Sequence, residues 1–150
     1  MTIKFSHDRP EQSMGFVFWQ ITNLWQRKIV QALEPTGLTH VQFVLLAAIG
    51  WHNQQKEVVT QALLARFAKT DVMMTSKVAR TLEQKGLLRR EEHKTDTRAF
   101  SLVLTAQGIK KLNQAMPLVV DVDKKFFKVL KGQRTDFMER MLEIMTGNQE

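Results

Sequence analysis

A mainly α-helical fold with one small β-hairpin follows from three features of the sequence. Apolar residues recur at helical spacing over most of the chain. After Gly86 the helical period is lost, and the run from Ala99 to Leu104 alternates with a period of two, the spacing of a half-buried strand. Just before that switch, two short helical patterns are separated by only three residues. The 150 residues are 43% apolar and 25% charged, which is globular composition and suits a single domain spanning 1–150.

From Met14 to Leu33, apolar residues fall at 14, 17, 18, 21, 24, 25, 29, 32 and 33, which predicts a long helix with Ser13 as its N-cap. Pro35-Thr36-Gly37 stops it. Thr39 can cap a second helix carrying Val41, Phe43, Val44, Leu45, Leu46, Ile49 and Trp51. That helix is apolar nearly all round and is expected at the centre. His52 to Lys56 reads as its fraying end and a loop. Thr60 can cap a short helix from Gln61 to Ala68, with Leu63, Leu64 and Phe67 inward.

After the turn Lys69-Thr70-Asp71, the next helix is predicted from Val72 to Lys85, with Gly86 as its left-handed stop. One face holds Met74, Thr75, Val78, Ala79 and Leu82; the other holds Met73, Ser76, Lys77 and Arg80. Two short helices in this relation, the second basic on its free face, describe a helix-turn-helix. Leu87 to His93 and Ala99 to Leu104 then make a hairpin around the polar turn 94–98. A hairpin directly after a helix-turn-helix is a wing. Thr105 can cap a long helix from Ala106 to about Lys131, which Pro117 should kink. A last amphipathic helix carries Phe137, Met141, Leu142 and Met145.

The inventory excludes most chemistry. There is no cysteine, hence no disulfide, thiolate metal site or thiol nucleophile. No two of the seven glycines are closer than 13 positions, so no phosphate-cradling loop exists. The histidines at 7, 40, 52 and 93 lack the i, i+3 or i+4 pairing that places two metal ligands on one helical face. No cofactor, metal site or enzymatic activity is expected. Neither a signal peptide nor a stretch of about 20 apolar residues appears, so the expected compartment is the cytoplasm, with no membrane partner.

The net charge is +7, and its placement is informative. Residues 58–105 hold nine Lys and Arg against five Asp and Glu; residues 106–134 hold seven against two. The basic character thus belongs to the winged segment and the helix after it. That is the electrostatic footprint of a nucleic-acid binder.

In this order the local words resemble the MarR family of winged-helix transcriptional regulators. Leu38-Thr39, Gln42-Phe43 and Leu45-Leu46 look like that family's second helix. Leu64-Ala65 and Leu82-Glu83-Gln84-Lys85-Gly86-Leu87 look like its helix-turn-helix. Asp96-Thr97-Arg98 followed by Leu102, Leu104-Thr105 and Gly108 matches its wing signature. The resemblance spans roughly 14–145. It implies a regulator, expected to be a repressor, that binds a palindromic double-stranded operator as a homodimer. The winged helix-turn-helix would occupy about 58–105, and the dimerisation helices about 14–34 and 106–146. The absence of cysteine sets the chain outside the branch that senses peroxides through a thiol, and the scattered histidines set it apart from the zinc-sensing branch.

An α-helix fits the major groove and presents its N-terminal side chains to base edges. Here these are Val72, Met73, Ser76, Lys77 and Arg80. Arg80 has the planar fork that matches guanine O6 and N7. Thr60 and Gln61, at a helix N-terminus, suit phosphate. In the wing, Lys94, Asp96 and Arg98 complete the DNA set. The resemblance places Arg98 in the minor groove, where narrow A·T tracts concentrate negative potential; Asp96 can hold it extended. The end helices carry more apolar surface than a lone winged domain buries, and Phe16, Phe18, Phe126, Phe127, Leu130, Phe137 and Met141 are expected at the dimer interface. Similar proteins answer small aromatic anions, for which Trp19, Trp25, His40, Phe43 and Trp51 are the pocket residues on offer. The alternative is a winged-helix protein-interaction module that carries its basic face to an acidic partner without reading DNA sequence.

Overall fold

The computed structural model describes residues 2–92 and 100–148. Eight elements follow in order: α1 (Met14–Leu33), α2 (His40–Gln54), α3 (Gln61–Ala68), α4 (Val72–Gln84), β1 (Leu88–Glu92), β2 (Phe100–Leu104), α5 (Ala106–Phe126) and α6 (Arg134–Gly147). A short 3-10 turn precedes α1, a second links α1 to α2, and a third, Phe127–Gln133, links α5 to α6. This is the predicted class: helices throughout, with one antiparallel two-stranded hairpin in which Leu88 faces Leu104 and Glu92 faces Phe100.

The helix starts are chemical. Ser13, Thr39, Thr60 and Thr105 each accept a backbone N–H of the first turn, from Phe16, Gln42, Leu63 and Gly108 respectively. At Thr39 the Gln42 side chain also returns to the Thr39 N–H, closing a capping box. Gly37, at φ 68°, ends the turn after α1, and Gly86, at φ 70°, ends α4.

The core forms around α2. Phe43, Leu45, Leu46, Ala48 and Ile49 are buried, and Ile29 and Leu33 of α1, Leu64 of α3, Ala79 and Leu82 of α4, Leu87, Leu88, Leu102 and Leu104 of the hairpin, and Ala115 and Val119 of α5 close around them. A helix apolar on nearly every side has to sit where every other element can cover it.

Several expectations need correction. α2 does not fray at His52; it continues to Gln54, and His52 is buried with its Nδ1–H donated to Glu57. The carboxylate that satisfies this nitrogen is what lets a polar ring enter the core edge. Phe67, expected inward, is exposed and sets its ring edge-to-face against His52 at 4.8 Å. Met74 and Phe100 are also largely exposed, because the end of a helix and the tip of a strand overhang the core. Leu63 is only half-buried. α5 carries Pro117 inside one continuous helix, as expected of a helix that holds it; the carbonyl that loses its partner belongs to exposed Asn113, where water can serve it. It ends at Phe126, five residues before the expected stop. Apolar spacing continues through Phe127 and Leu130, but the backbone tightens to 3-10 geometry and reverses at Lys131 (φ 47°, ψ −124°).

Candidate nucleic-acid interface

The candidate surface is built from its turn outward. α3 ends with Lys69 in the left-handed region (φ 52°, ψ 43°), which redirects the chain within two residues. Asp71 then starts α4, its Oδ1 accepting the Met74 N–H at 2.9 Å. The Thr75 hydroxyl donates to the Asp71 carbonyl at 2.8 Å and stands 2.9 Å from the Thr70 hydroxyl. Thr75 is fully buried, so this hydroxyl chain lies at the base of the turn and fixes the angle between the two helices. Sequence reading placed Asp71 only in the turn and missed it as the N-cap of the recognition helix.

With Thr75, Ala79 and Leu82 buried, the opposite face of α4 must point outward. Val72 is 56% exposed and Met73 82%. Lys77 and Arg80 are exposed, and Ser76 partly so. All five predicted recognition residues therefore share one accessible surface. Arg80 Nη2 lies 3.4 Å from Ser76 Oγ, a weak tether and the one hydrogen bond its fork makes among the described residues. Thr60 and Gln61, half-buried at the start of α3, stand at the N-terminus of the helix before the turn. Met73 is too exposed to be a packing residue, and an apolar side chain held in water at the start of such a helix is suited to thymine methyls.

The wing is attached at three points. Asn53, near the end of α2, donates its Nδ2–H to the Leu102 carbonyl and accepts the Leu104 N–H with Oδ1, both at 3.1 Å. Val59 adds a short third rung: Leu102 donates its N–H to the Val59 carbonyl at 2.9 Å, and the Val59 N–H reaches Ser101 Oγ at 3.0 Å. At the base, the Thr105 hydroxyl donates to the Gly86 carbonyl at 2.6 Å and accepts the Gly108 N–H at 3.0 Å. A Cβ on Gly108 would stand 1.9 Å from the Leu87 carbonyl oxygen. The Leu-Thr-x-x-Gly word is thus a seam: threonine ties the end of the hairpin to its beginning, and glycine lets α5 rest on the backbone there. Neither Asn53 nor Val59 carried a signal in the sequence, since each acts on a partner more than 40 residues away. The predicted wing-tip residues Lys94, Asp96 and Arg98 lie outside the described residues. Behind the recognition helix, Arg90 Nε of β1 pairs with Glu83 at 3.3 Å.

The aromatic residues expected in one effector pocket do not converge. Trp25 and His40 touch, edge to face at 5.1 Å. Phe43 is buried in the core. Trp19 lies on the outer face of α1, stacked on Phe16 at 6.2 Å. Trp51 lines a separate cleft of about 430 Å³ between α2, β2 and α5, beside Ile109, Leu112 and Met116. Trp19 and Trp25 fall on different sides of α1, and Trp51 lies 11 residues along α2 from His40, so one pocket does not take them all.

Of the residues expected at a dimer interface, Phe18, Phe126, Phe127, Phe137 and Met141 lie near one another. Phe126 and Phe127 pack edge to face at 5.1 Å, and Phe127 meets Phe137 at 6.4 Å. With Phe18, Trp25, Met141 and Ile144, Phe127 and Phe137 border an apolar trough of about 760 Å³ between α1 and α6, while Phe126 lines a neighbouring cleft with Lys28 and Asp121. Phe18 is 65% exposed there. Leu130 is half-buried in the linking turn, and Phe16 lies on the far side of α1 with Trp19. No residue of α6 is buried.

Comparison with known proteins agrees with this architecture. The model of the MarR family matches residues 38–100. The HTH-type transcriptional regulator YdcH of Bacillus subtilis is 41% identical over 136 residues, covering 91% of this chain and 92% of YdcH. Among solved structures, Staphylococcus aureus MepR in complex with DNA has a TM-score of 0.82 at 23% identity, covering 95% of this chain and all of that one. CouR of Rhodococcus jostii bound to p-coumaroyl-CoA also scores 0.82, at 20% identity, covering 96% of this chain and 99% of CouR. The chain belongs to the MarR family of transcriptional regulators.

Proposed function

We propose that this protein is a homodimeric, sequence-specific repressor acting in the cytoplasm on a palindromic double-stranded operator. The observation that carries the reading is α4: its inner face is locked by Thr75, Ala79 and Leu82, while Val72, Met73, Ser76, Lys77 and Arg80 share the open face. Arg80 reads guanine, Met73 and Val72 contact thymine methyls, and Lys77, Thr60 and Gln61 hold phosphate. Lys94 and Arg98 extend the contact into the adjacent minor groove, with Asp96 steadying Arg98. Two copies joined through α1, α5 and α6 place two such helices about 10 base pairs apart or a multiple of it. No single helix among the described residues is long and apolar enough to cross a membrane, and the inventory offers no catalytic set. A small aromatic effector is the regulatory input this reading carries. MepR's complex with DNA and CouR's with p-coumaroyl-CoA support it by analogy of fold.

A mobility-shift titration against the DNA flanking the protein's own gene tests this. The expected result is a discrete complex that survives excess random duplex. Equal binding to both duplexes would favour the interaction-module reading instead.

A further inference from the structure

Trp25 of α1, half-buried, donates its indole Nε1–H to Asp123 Oδ1 of α5 at 2.8 Å. His40, the first residue of α2, sets its ring edge-to-face on the same indole, with centroids 5.1 Å apart. Three helices meet here: α1 and α5 belong to the dimerising half, and α2 carries the winged half through Asn53 and the core. We propose that Trp25, Asp123 and His40 form a proton-responsive joint between the two halves, so that acidification weakens operator recognition. The inference rests on the DNA-binding reading above.

The physical case is a competition for one carboxylate. With His40 neutral, Asp123 is committed to the indole N–H, and α1 is tied to α5. Burial pushes the His40 imidazole below its usual value, while the Asp123 charge pulls it up. α1 offers the uncharged Trp25, and α2 offers the positive end of its own backbone dipole. Lys85 of α4 reaches the same helix start, 3.4 Å from the Gly37 carbonyl and 3.3 Å from Gln42 Oε1. Among the described residues, Asp123 is the acid whose charge acts on the ring. An imidazolium draws that carboxylate more strongly than a neutral indole does, and the tie moves from α1–α5 toward α2–α5. A dimer reads two half-sites at a fixed spacing, so a shift between halves costs specific binding. Binding to random phosphate is untouched by it, or gains from the added charge.

Two measurements test the joint. In the Trp19→Phe, Trp51→Phe background, Trp25 is the sole tryptophan of the three, and an imidazolium in contact with an indole quenches its emission. Between pH 8 and pH 5 the free protein should show one quenching transition with a midpoint below 6.5, the ordinary histidine value. His40→Gln should abolish it. Asp123→Asn, which keeps an oxygen for the indole but removes the charge, should move it to lower pH. Should the double variant fold poorly, the His40 ring-proton shifts of the unmodified protein report the same transition. The second measurement is the ratio of operator to random-duplex affinity. It should fall about 3–10-fold across that range in the wild type and stay flat in His40→Gln. A transition that survives His40→Gln overturns the joint, and so does an affinity ratio that follows pH identically in both proteins. A wild type with no operator preference at any pH overturns the DNA-binding reading and the gating with it, while the fluorescence transition is judged on the free protein alone.

Discussion

At Arg80 the chemistry of one side chain separates reading from holding. Its guanidinium is exposed and, among the described residues, tethered by the 3.4 Å contact to Ser76, so it can meet two guanine acceptors at once. Arg80→Ala should cost about 1–3 kcal/mol and relax preference at one position of each half-site. Lys77→Ala should instead weaken all duplexes alike, which parallel titrations on operator and random DNA would distinguish. Gly108 makes the same point for packing. Its missing Cβ is what allows α5 to lie on the Leu87 carbonyl. Gly108→Ala must push the helix off the hairpin, and thermal melting should show a loss of about 1–3 kcal/mol, as overpacking typically gives. His40 links residue to solvent. Its folded-state value is lowered from 6.5 by burial, so the unfolded chain binds the proton first. The associated stability is intact above about pH 6.5 and is lost as pH falls through the lower folded value. Denaturant midpoints from pH 7.5 to pH 5 should therefore decline more in the wild type than in His40→Gln; equal declines would remove this role.

Elements differ in how far their own sequence determines them. Four N-caps, the two glycine stops and the turn between α3 and α4 were legible because each is local: a hydroxyl or a left-handed residue acts on atoms three or four positions away. The open face of α4 was legible for the same reason, since burying Thr75, Ala79 and Leu82 decides which side chains face outward. The end of α5 was not, because Phe127 and Leu130 keep the apolar spacing while the backbone has already tightened. The attachments of the wing were also hidden. Asn53 looks like a residue of a fraying end, yet its amide replaces a strand's worth of hydrogen bonding along Leu102 and Leu104. Asn53→Ala should leave helix content unchanged and loosen the hairpin. Amide exchange at Leu104 should then accelerate, and operator affinity should fall as the wing loses its fixed approach to the groove. Unchanged exchange at Leu104 would show that Val59 and the Thr105 seam hold the strand without it.

The molecule as a whole is two functional ends on one long helix. α5 spans 21 residues, about 30 Å at helical rise, from the wing seam to the cluster of Phe126, Phe127 and Phe137. At its far end α6 has no buried residue although it carries Phe137, Met138, Met141, Leu142, Ile144 and Met145. An isolated helix of 14 residues is marginal in water, and a trough of this apolarity is costly to leave wet. A second copy seated on it would supply the missing burial and set the separation of the two recognition helices. Phe137→Glu with Met141→Glu should then give monomers in sedimentation, and a melting temperature that no longer rises with protein concentration. DNA binding should report the same assembly. Two recognition helices and two wings neutralise many phosphates, so log affinity against log salt should slope at about −5 to −9 for the dimer. The monomeric variant engages one half-site, and its slope should drop to roughly half while Arg80 still discriminates within that half-site. If the variant stays dimeric, the interface lies elsewhere on the apolar surface. If it is monomeric but keeps the full slope, the phosphate contacts belong to a single winged domain and the two-fold reading of the operator fails.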